Sequence, residues 1–500
     1  MSTLLEYSSF KSPIANCLVL GACLAAVAYR LAHRRTLLVD IPGPPSPSWV
    51  TGHFKNLFGF DAIPFYEHLV SNYGPTVKIK APFGADTIWT IDPAAMHSVL
   101  VKDRVNFDRS KGGVLLLRAV MGPGLIALRG EEHRIHRKIL NPVFVMKYLR
   151  ELVRAIDMHM PVFMNVAERA CDAIEKEIGN EDTSNDVDIF PWMTAAALEL
   201  VGEAGLGYSF ESFERKRNKY SVAARDIIQY FIKVAPFGVL LPFIPNIGTP
   251  SFRYWLVQYI PIPGVRQLLE ARDIQNSQAE EILRARQELL ASGHDLRSEA
   301  GRGRDILTLL MKANETEGSE NRISHEEMIG HMNIFIFAGH ETTSTAMSRM
   351  LSILASSKRI QDKLREEVQK YFTEHADDTH HDALLELPYL DAVIRETLRL
   401  YAPVTRLARV SQTDTVIPLK YPINTPNGKL TSIPVKRGTH IMMNVTMANR
   451  YQEIWGEQAN EFIPERWIGN KLEEVTGPGA HLPGVYSSMM TFGGGPAACM

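Results

Sequence analysis

The sequence predicts a mainly α-helical protein with a small β-rich lobe. Two long stretches, 146–175 and 323–369, are rich in helix-forming residues and repeat apolar side chains every three or four positions, the spacing of one helix face. A period-two alternation in 76–80 and 87–91, around the turn PFGAD, predicts a β-hairpin. We find no internal repeat, so these patterns suit one large α-rich domain.

Shorter features complete this prediction. Residues 416–443 show a pattern of short strands separated by prolines and a glycine, which gives the β-rich lobe a second piece. Polar segments rich in Gly or Asp interrupt the helical pattern at 178–188, 292–305 and 373–382. We interpret them as surface loops within one domain that covers 50–500.

Composition excludes several classes of protein. The 500 residues contain 54 Lys and Arg against 56 Asp and Glu, a net charge of −2, and 45% are hydrophobic. This balance excludes a disordered chain and argues against a nucleic-acid partner bound through bulk positive charge. The four cysteines, Cys17, Cys23, Cys171 and Cys499, are too few for a disulfide framework, which indicates a reduced, cytosol-facing body.

The first 35 residues predict a membrane anchor. Residues 14–29 carry no charge, and a basic cluster follows them: Arg30, His33, Arg34 and Arg35. A cleaved signal peptide, the alternative, would place its positive charge before the apolar run, so we predict a retained single-pass anchor with a cytosolic body behind it. Residues 36–49 include IPGPPSPSW, which predicts a stiff proline-rich hinge, with an ordinary turn-rich loop as the alternative.

A glycine-rich loop, FGGGPAACM, ends the sequence and contains Cys499. A solitary cysteine is often a small buried hydrophobic residue, and that interpretation stays open for Cys499 by itself. Three consecutive glycines, however, let a backbone pass close to a bulky planar group, and amide donors around a thiolate can hold its charge. The loop therefore makes Cys499 a candidate metal ligand.

The segment FIFAGHETTS, 335–344, interrupts an apolar helical run with a glycine, an acid and hydroxyls. Threonine hydroxyls can bond back to the helix backbone, so a kink is expected here. A kink beside Glu341 and Thr342 would form a polar notch in an apolar wall, where an oxygen ligand and its protons could be handled. A plain helix with a satisfied threonine is the alternative.

Glu396 and Arg399 lie three residues apart on one predicted helix face. Such pairs are commonly exposed to solvent and contribute little to stability. Here the surrounding residues are largely apolar, so we expect burial, and a buried acid and guanidinium need further partners. Arg466 in FIPERW is the candidate third member of this network.

Taken in order, these motifs resemble a cytochrome P450 of the membrane-bound eukaryotic, fungal type. The anchor, PGPP, AGHETTS, ETLR, FIPERW and FGGGPAAC follow one another as in that family, over nearly the whole chain. The resemblance implies a haem b cofactor with Cys499 as thiolate ligand to its iron. It also implies that Glu341 and Thr342 guide protons to dioxygen, while Glu396, Arg399 and Arg466 form a structural ion-pair network.

The resemblance further identifies residues that would hold the haem propionates. Arg137 matches the family's helical arginine, although His133 stands where the family has tryptophan, and Arg409 resembles the arginine that follows the Glu/Arg helix. Phe492 opens the ligand loop. Two features depart from the family: Ala497 occupies the position of a third, loop arginine, and the sequence stops one residue after Cys499, which predicts a chain truncated before the family's next helix.

The function implied is that of a haem-thiolate monooxygenase, which inserts one oxygen atom of dioxygen into a small lipophilic substrate. Electrons would come from NADPH through NADPH-cytochrome P450 reductase, at the endoplasmic reticulum membrane and in contact with membrane lipid. The apolar segment 230–264 and the anchor favour a lipophilic substrate. The resemblance implies that this substrate is a secondary metabolite such as a terpenoid. The alternative is an inactive relic or membrane-bound interaction protein without stable haem, which Ala497 favours. Oxygen-independent rearrangement is disfavoured because Glu341 and Thr342 are both present.

Overall fold

The structure is a computed structural model that describes residues 38–500 with gaps. The residues left undescribed are 39, 60, 145, 180–185, 214–218, 236–237, 239–240, 243–248, 250–251, 253–263, 293–305, 317–321, 376–382, 385, 470–471 and 478–480. The predicted anchor, 1–35, and most of the apolar segment 230–264 lie outside the described residues. No helix within the described part of the chain is both long enough and apolar enough to cross a membrane.

Helices dominate the described chain. The longer ones are α1 (Phe54–Phe58), α2 (Ile63–Tyr73), α3 (Pro93–His97), α4 (Lys111–Met121), α5 (Gly130–Phe144), α6 (Met146–Ile178), α7 (Ile189–Glu199), α8 (Lys219–Val234), α9 (Val265–Ala291), α10 (Ile306–Thr316), α11 (His325–Ser356), α12 (Lys358–Glu374) and α13 (Pro388–Leu400). Three four-residue helices follow: α14 (Val445–Ala448), α15 (Gln452–Trp455) and α16 (Leu472–Val475). This content confirms the predicted mainly α-helical fold class.

The described residues also form seven strands: β1 (Thr76–Lys80), β2 (Asp86–Thr90), β3 (Phe107–Asp108), β4 (Arg406–Ser411), β5 (Thr415–Thr425), β6 (Gly428–Val435) and β7 (His440–Asn444). The hairpin predicted around PFGAD is present, because β1 pairs antiparallel with β2 in the register Thr76 to Thr90. Residues of the second strand-rich patch form β5 and β6, an antiparallel pair that begins at Thr415 opposite Val435.

The chain divides into two compact units. The first contains the described residues up to Ala95 together with Ser411–Met442, and the second contains Met96–Val410 and Met443–Met500. Within the first unit, the fully buried Asp92 accepts backbone N–H bonds from Ala94, Ala95, Lys420 and Tyr421 at 2.8–3.0 Å. One carboxylate thus ties together two segments that are more than 300 residues apart in sequence. Every candidate site residue lies in the second unit.

Helix α11, 32 residues long, lies in the second unit and carries Glu341 and Thr342. A capping box starts it, since the Ser324 hydroxyl accepts from the Glu327 amide while the Glu327 carboxylate accepts from the Ser324 amide. Its buried Met332 and Ile336 pack in a hydrophobic cluster with residues of α5, α9 and α10, including Leu140, Ile282 and Leu310. Burial of this apolar stripe, rather than helix propensity alone, stabilises a helix of this kind.

The helical pattern over 323–369 forms two helices instead of one. Between α11 and α12, Ser357 adopts φ −128° and ψ 91°, which is an extended conformation. Neither proline nor glycine marks the break, so the periodic pattern alone did not locate it. The kink expected at FIFAGHETTS is absent as an interruption, because α11 continues as a single α-helix through these residues.

Candidate functional site

The cysteine loop, 492–499, is a tightly folded turn whose glycines are required by its neighbours. Gly493 and Gly495 have φ of 72° and 70°, a region that residues with a Cβ rarely adopt. A Cβ built on Gly494 would lie 2.2 Å from the Pro483 carbonyl oxygen, and one on Gly495 would lie 2.1 Å from that of Leu100. The glycine run predicted to allow close backbone approach therefore does so, here against the protein itself.

Hydrogen bonds close the loop at both ends. The Cys499 amide donates to the Phe492 carbonyl oxygen at 2.8 Å, and the Ala498 amide donates to that of Gly495 at 3.0 Å. The Phe492 ring meets the Tyr486 ring edge to face, with centroids 5.4 Å apart. Since both ends are fixed, the Cys499 side chain is presented from a defined backbone.

Arg137 connects this loop to helix α5. Its Nη1 donates to the Ala498 carbonyl oxygen at 2.9 Å, and its Nε donates to Asn141 Oδ1 at 2.9 Å. The exposed Cys499 thiol has a pKa raised above its usual value by partial desolvation, which the Met500 amide and the positive charge of Arg137 oppose. A thiolate at Cys499 would thus gain from Arg137, but needs a further positive charge to form readily at neutral pH.

A group of buried or half-buried basic side chains surrounds this point, and we call it the cationic cluster. Its members are Arg109, His133, Arg137 and Arg409. Burial, then the charge of Arg409, lowers the pKa of Arg109 to about 10. Burial, then the charges of Arg109 and Arg137, lowers the pKa of His133 to about 4, so this imidazole is neutral. The residues are therefore close enough to repel one another.

Among the described residues, the cationic cluster has too little negative charge to balance it. Asp108 is the acid whose charge opposes it, and Asp108 Oδ2 already binds Arg129 Nε at 3.2 Å. His133 Nε2 is buried and has no hydrogen-bond partner among the described residues. Surplus positive charge and an unpaired imidazole nitrogen fit a bound group that carries carboxylates, as the two propionates of haem do.

Glu341 and Thr342 lie on α11 as the sequence predicts. Thr342 Oγ1 donates to the Ala338 carbonyl oxygen at 2.7 Å, so the predicted back-bond to the helix is present. A Cβ on Gly339 would lie 2.7 Å from Val201 Cγ2, and this glycine therefore lets α11 pack closely against the π-helical segment Leu200–Leu206. Met500, next to Cys499, packs against the same hydrophobic cluster as Met332 and Ile336 of α11.

His340, beside Glu341, is a buried polar residue that the sequence analysis did not select. It is completely buried, neither ring nitrogen has a hydrogen-bond partner among the described residues, and burial lowers its pKa to about 4. Its Nδ1 lies 3.6 Å from Glu341 Oε1. His340 is therefore a neutral neighbour of the acid and contributes no positive charge to it.

The ion-pair network, Glu396, Arg399 and Arg466, is assembled and buried. Arg399 binds Glu396 through two bonds, Nε to Oε2 at 2.9 Å and Nη2 to Oε1 at 2.8 Å, and both side chains have zero exposure. Arg466 Nε donates to Glu396 Oε1 at 2.9 Å. Two groups that the sequence analysis did not predict also donate to Glu396: the Trp467 indole N–H at 2.9 Å and the Ile463 amide at 3.0 Å.

The network reaches the cysteine loop through Asn449, which sequence reasoning missed. Arg399 Nη1 donates to the Asn449 carbonyl oxygen at 2.8 Å. The Asn449 side chain accepts from the Met490 amide at 2.7 Å and donates to Thr491 Oγ1 at 2.9 Å, directly before Phe492. The buried network thus fixes the backbone from which the cysteine loop begins.

Arg109 is another residue of the candidate site that the sequence analysis missed. It lies directly after the two-residue strand β3, and its Nη1 donates to the Leu128 carbonyl oxygen at 3.1 Å. No periodicity or spacing distinguishes it from other arginines, and it joins Arg409 only through a fold that brings together residues 300 positions apart. The positive charge of Arg109 lies close to those of Arg409 and Arg137, whereas Ala497 contributes no charge to the loop.

Comparison with known proteins identifies the family of the chain. The family model described as "Cytochrome P450" matches residues 42–500. Cytochrome P450 monooxygenase 91 of Postia placenta is 38% identical over 466 residues, which cover 93% of this chain and 84% of the relative. Cytochrome P450 monooxygenase 81 of the same fungus is 36% identical over 470 residues, with 93% and 83% covered. A ganoderic acid synthetase of Ganoderma lucidum is 34% identical over 496 residues, with 97% and 88% covered. The chain therefore belongs to the cytochrome P450 family of monooxygenases, as the sequence motifs predicted.

Proposed function

We propose that this chain is a haem-thiolate monooxygenase that hydroxylates or epoxidises a lipophilic secondary metabolite, with electrons delivered from NADPH by a reductase. The observation that carries the proposal is the bond from Arg137 to the Ala498 carbonyl oxygen. It joins the cationic cluster, which has surplus positive charge, to the loop that presents Cys499. An anion-binding site beside a candidate thiolate ligand is the combination that haem requires.

The residues present fit haem, which would supply dioxygen activation and substrate oxidation when bound. Cys499 would be its iron ligand, and coordination would hold the thiol deprotonated against the desolvation that raises its pKa. Arg109, Arg137 and Arg409 would bind the propionates, and His133 Nε2, which lacks a partner in the described chain, would accept or donate one further bond. Phe492 would pack at the start of the ligand loop.

Glu341 and Thr342 are proposed to handle protons. Because the Thr342 hydroxyl proton is donated to the Ala338 carbonyl oxygen, the lone pairs of Oγ1 remain free to accept a bond from water or a ligand. The Glu341 side chain keeps a small exposed fraction of 13%, so its carboxylate can exchange protons with water. Neutral His340 beside it adds no positive charge to the acid.

Substrate class and location are inferred from similarity. The ganoderic acid synthetase among the relatives supports a terpenoid-like substrate, and the predicted anchor supports attachment to the endoplasmic reticulum membrane. Positions 107–120 and the surroundings of Phe337 are the segments proposed to face the substrate. Within them, Leu116 and Val120 of α4 share a hydrophobic cluster with Phe337 of α11, which supplies an apolar wall.

An inactive relic without stable haem is the second candidate, and Ala497 favours it. Loss of one charge-assisted bond to a propionate would cost about 1.5–3 kcal/mol of haem binding if nothing replaced it. Arg109 argues against this candidate, because it adds a buried guanidinium to the cationic cluster independently of the loop.

The test is the carbon monoxide difference spectrum of the reduced chain, expressed in membranes with haem supply. We expect a red-shifted Soret band typical of thiolate ligation. Cys499→Ser is the ligand control and must abolish this band, whereas Cys171→Ser, which removes an exposed cysteine on α6, must leave it intact. A folded wild-type chain without the band would overturn the monooxygenase proposal and favour the relic.

A further inference from the structure

A chain of hydrogen bonds between helices α5 and α11 lies outside the cysteine loop and the cationic cluster. The Leu125 amide donates to His331 Nδ1 at 3.3 Å, and His331 Nε2 lies 2.9 Å from His136 Nδ1. His136 Nε2 in turn faces Glu327 Oε1 at 3.5 Å. We call His331, His136 and Glu327 the histidine relay.

The direction of every proton in the relay follows from its first bond. A backbone N–H can only donate, so His331 Nδ1 must be unprotonated, and a neutral His331 then carries its proton on Nε2. That proton is donated to His136 Nδ1, which leaves the proton of neutral His136 on Nε2, facing Glu327. The Glu327 carboxylate can receive it because its other oxygen, Oε2, already accepts from the Ser324 amide and hydroxyl at 2.8 and 2.7 Å.

The surroundings make this neutral arrangement the stable one. Both imidazoles are buried, which lowers the pKa of His331 to about 3 and also lowers the pKa of His136. The charged groups that face His136 are Glu327 of α11, Glu132 of α5 and Arg118 of α4, and Arg118 Nη1 binds Glu132 Oε1 at 3.2 Å. His331 faces His136 alone among titratable groups in the described chain.

Close backbone packing occurs at the same place. A Cβ on Gly330 would lie 2.7 Å from the Gly124 nitrogen, so α11 contacts the 122–125 turn directly. Asn333 Nδ2 donates to the Met121 carbonyl oxygen at 3.3 Å. Gly330, His331 and Asn333 therefore hold α11 against the turn that joins α4 to the segment before α5.

The relay connects the two helices that carry haem-facing candidates. Arg137 directly follows His136 on α5, and His133 precedes it by less than one turn. Glu341 and Thr342 follow His331 on α11 by ten and eleven residues, about 15 Å along the helix axis. We propose that His331 and His136 are positioning residues. As a neutral hydrogen-bonded pair they hold α5 and α11 in register, which fixes the relative positions of the haem-facing side chains on the two helices.

This inference rests on the proposed function, and its test separates the two. His331→Phe and His136→Phe keep the ring volume but remove the bonds, and the double variant closes a mutant cycle. His325→Phe is the matched control, because His325 lies on the same helix but forms only an exposed pair with Glu280. Amide hydrogen exchange at Leu125 and haem transfer to apomyoglobin are measured under native conditions on the full chain.

We expect His331→Phe to accelerate exchange at the Leu125 amide at least tenfold. Haem transfer should quicken about fivefold in either single variant, the change that loss of one hydrogen bond of ordinary strength produces, and the double variant should be little worse than the singles. His331→Asn, whose Oδ1 can still accept from the Leu125 amide, should restore slow exchange at Leu125 without slowing haem transfer. Strictly additive effects, or an equal effect of His325→Phe, would overturn the relay.

A pH profile supplies a readout that a purely structural role would not move. Both folded pKa values lie below that of a free histidine, so the relay's stabilisation is complete above pH 6.5 and declines as the pH falls toward 3. Wild-type haem transfer should therefore accelerate below pH 6.5 more steeply than that of the double variant. Parallel profiles would overturn the positioning role, while a wild type with slow Leu125 exchange but no haem would overturn the proposed function instead.

Discussion

Two charged clusters in the second unit are built from similar residues and differ in how completely they are paired. In the ion-pair network, Glu396 accepts five hydrogen bonds from four residues. Arg399 donates its remaining protons to the carbonyl oxygens of Asn449, Ala459 and Glu461. In the cationic cluster, positive side chains depress one another's pKa values, and the nearby acid Asp108 is engaged by Arg129. The first cluster is fully paired within the protein, whereas the second keeps surplus positive charge among the described residues.

This difference separates a structural role from a binding role. A saturated buried network gains nothing from a ligand, and removal of one member leaves its partners buried and unpaired. A cluster of like charges costs folding free energy in the free protein and recovers it when an anion binds. The two clusters should therefore respond oppositely to substitution.

The largest effect is expected from breaking the ion-pair network. Glu396→Ala removes the acid that pairs with both Arg399 and Arg466, so the Arg399 guanidinium, at zero exposure, loses its carboxylate and Arg466 loses this ion pair. We expect the free energy of unfolding to fall by about 3–5 kcal/mol, as for other broken buried ion pairs, with or without haem. Urea unfolding followed by circular dichroism measures it.

The matched control is Asp362→Ala, which removes the acid of an exposed ion pair with Arg365 on α12. An exposed pair contributes at most about 0.5 kcal/mol, so this variant should unfold like the wild type. Equal destabilisation by the two substitutions would contradict the structural role assigned to the network.

A smaller effect of opposite sign is expected in the cationic cluster. Arg409→Gln removes a charge that depresses the pKa of Arg109 and His133. The haem-free chain should become no less stable, because repulsion is relieved, whereas haem affinity should fall about tenfold or more from loss of a charge-assisted bond. Unfolding of the haem-free chain measures its stability, and a haem titration followed at the Soret band measures haem affinity.

Arg406→Gln, three residues earlier on β4, is the control for this pair of measurements, since Arg406 does not contribute to the pKa shifts of the cluster residues. It should leave haem affinity unchanged. If Arg409→Gln instead lowered the stability of the haem-free chain and left haem affinity intact, the cluster would be structural and the comparison would fail.

Sequence reasoning located residues that act within one motif and missed partners that only the fold supplies. Glu396 and Arg399 could be predicted because three residues on one helix place their side chains together. Asn449 could not, because its carbonyl oxygen and those of Ala459 and Glu461 converge on Arg399 through tertiary contacts. The excess of positive charge in the cationic cluster leaves no pattern in the sequence either, because Arg109 and Arg409 are far apart in the chain.

The same limit applies to helix boundaries and to the relay. Apolar periodicity predicted helices over 323–369, yet the extended conformation at Ser357 leaves no mark in composition. His136 and His331 lie on separate helices, and each resembles an ordinary core histidine until the distance between Nδ1 and Nε2, 2.9 Å, is known. The chemistry-bearing loop was easier, because consecutive glycines constrain a backbone locally.

The smallest effect expected is a change in pH dependence at His133. The pKa of this residue is lowered to about 4 by burial and by neighbouring arginines, so its neutral form stabilises the fold fully above pH 6.5 and loses that contribution as the pH falls toward 4. Haem propionates would oppose the arginine charges and so raise the pKa of His133. The stability contributed by neutral His133 would then be lost over a narrower pH range. The haem-free chain should therefore lose stability on acidification more steeply than the haem-bound chain.

His133→Gln, which cannot titrate, should bring the pH profiles of the haem-free and haem-bound chains closer together, whereas His325→Gln should not. If the two profiles of the wild type were already parallel, His133 would not sense the anion, and the cationic cluster would have to bind it through the arginines alone.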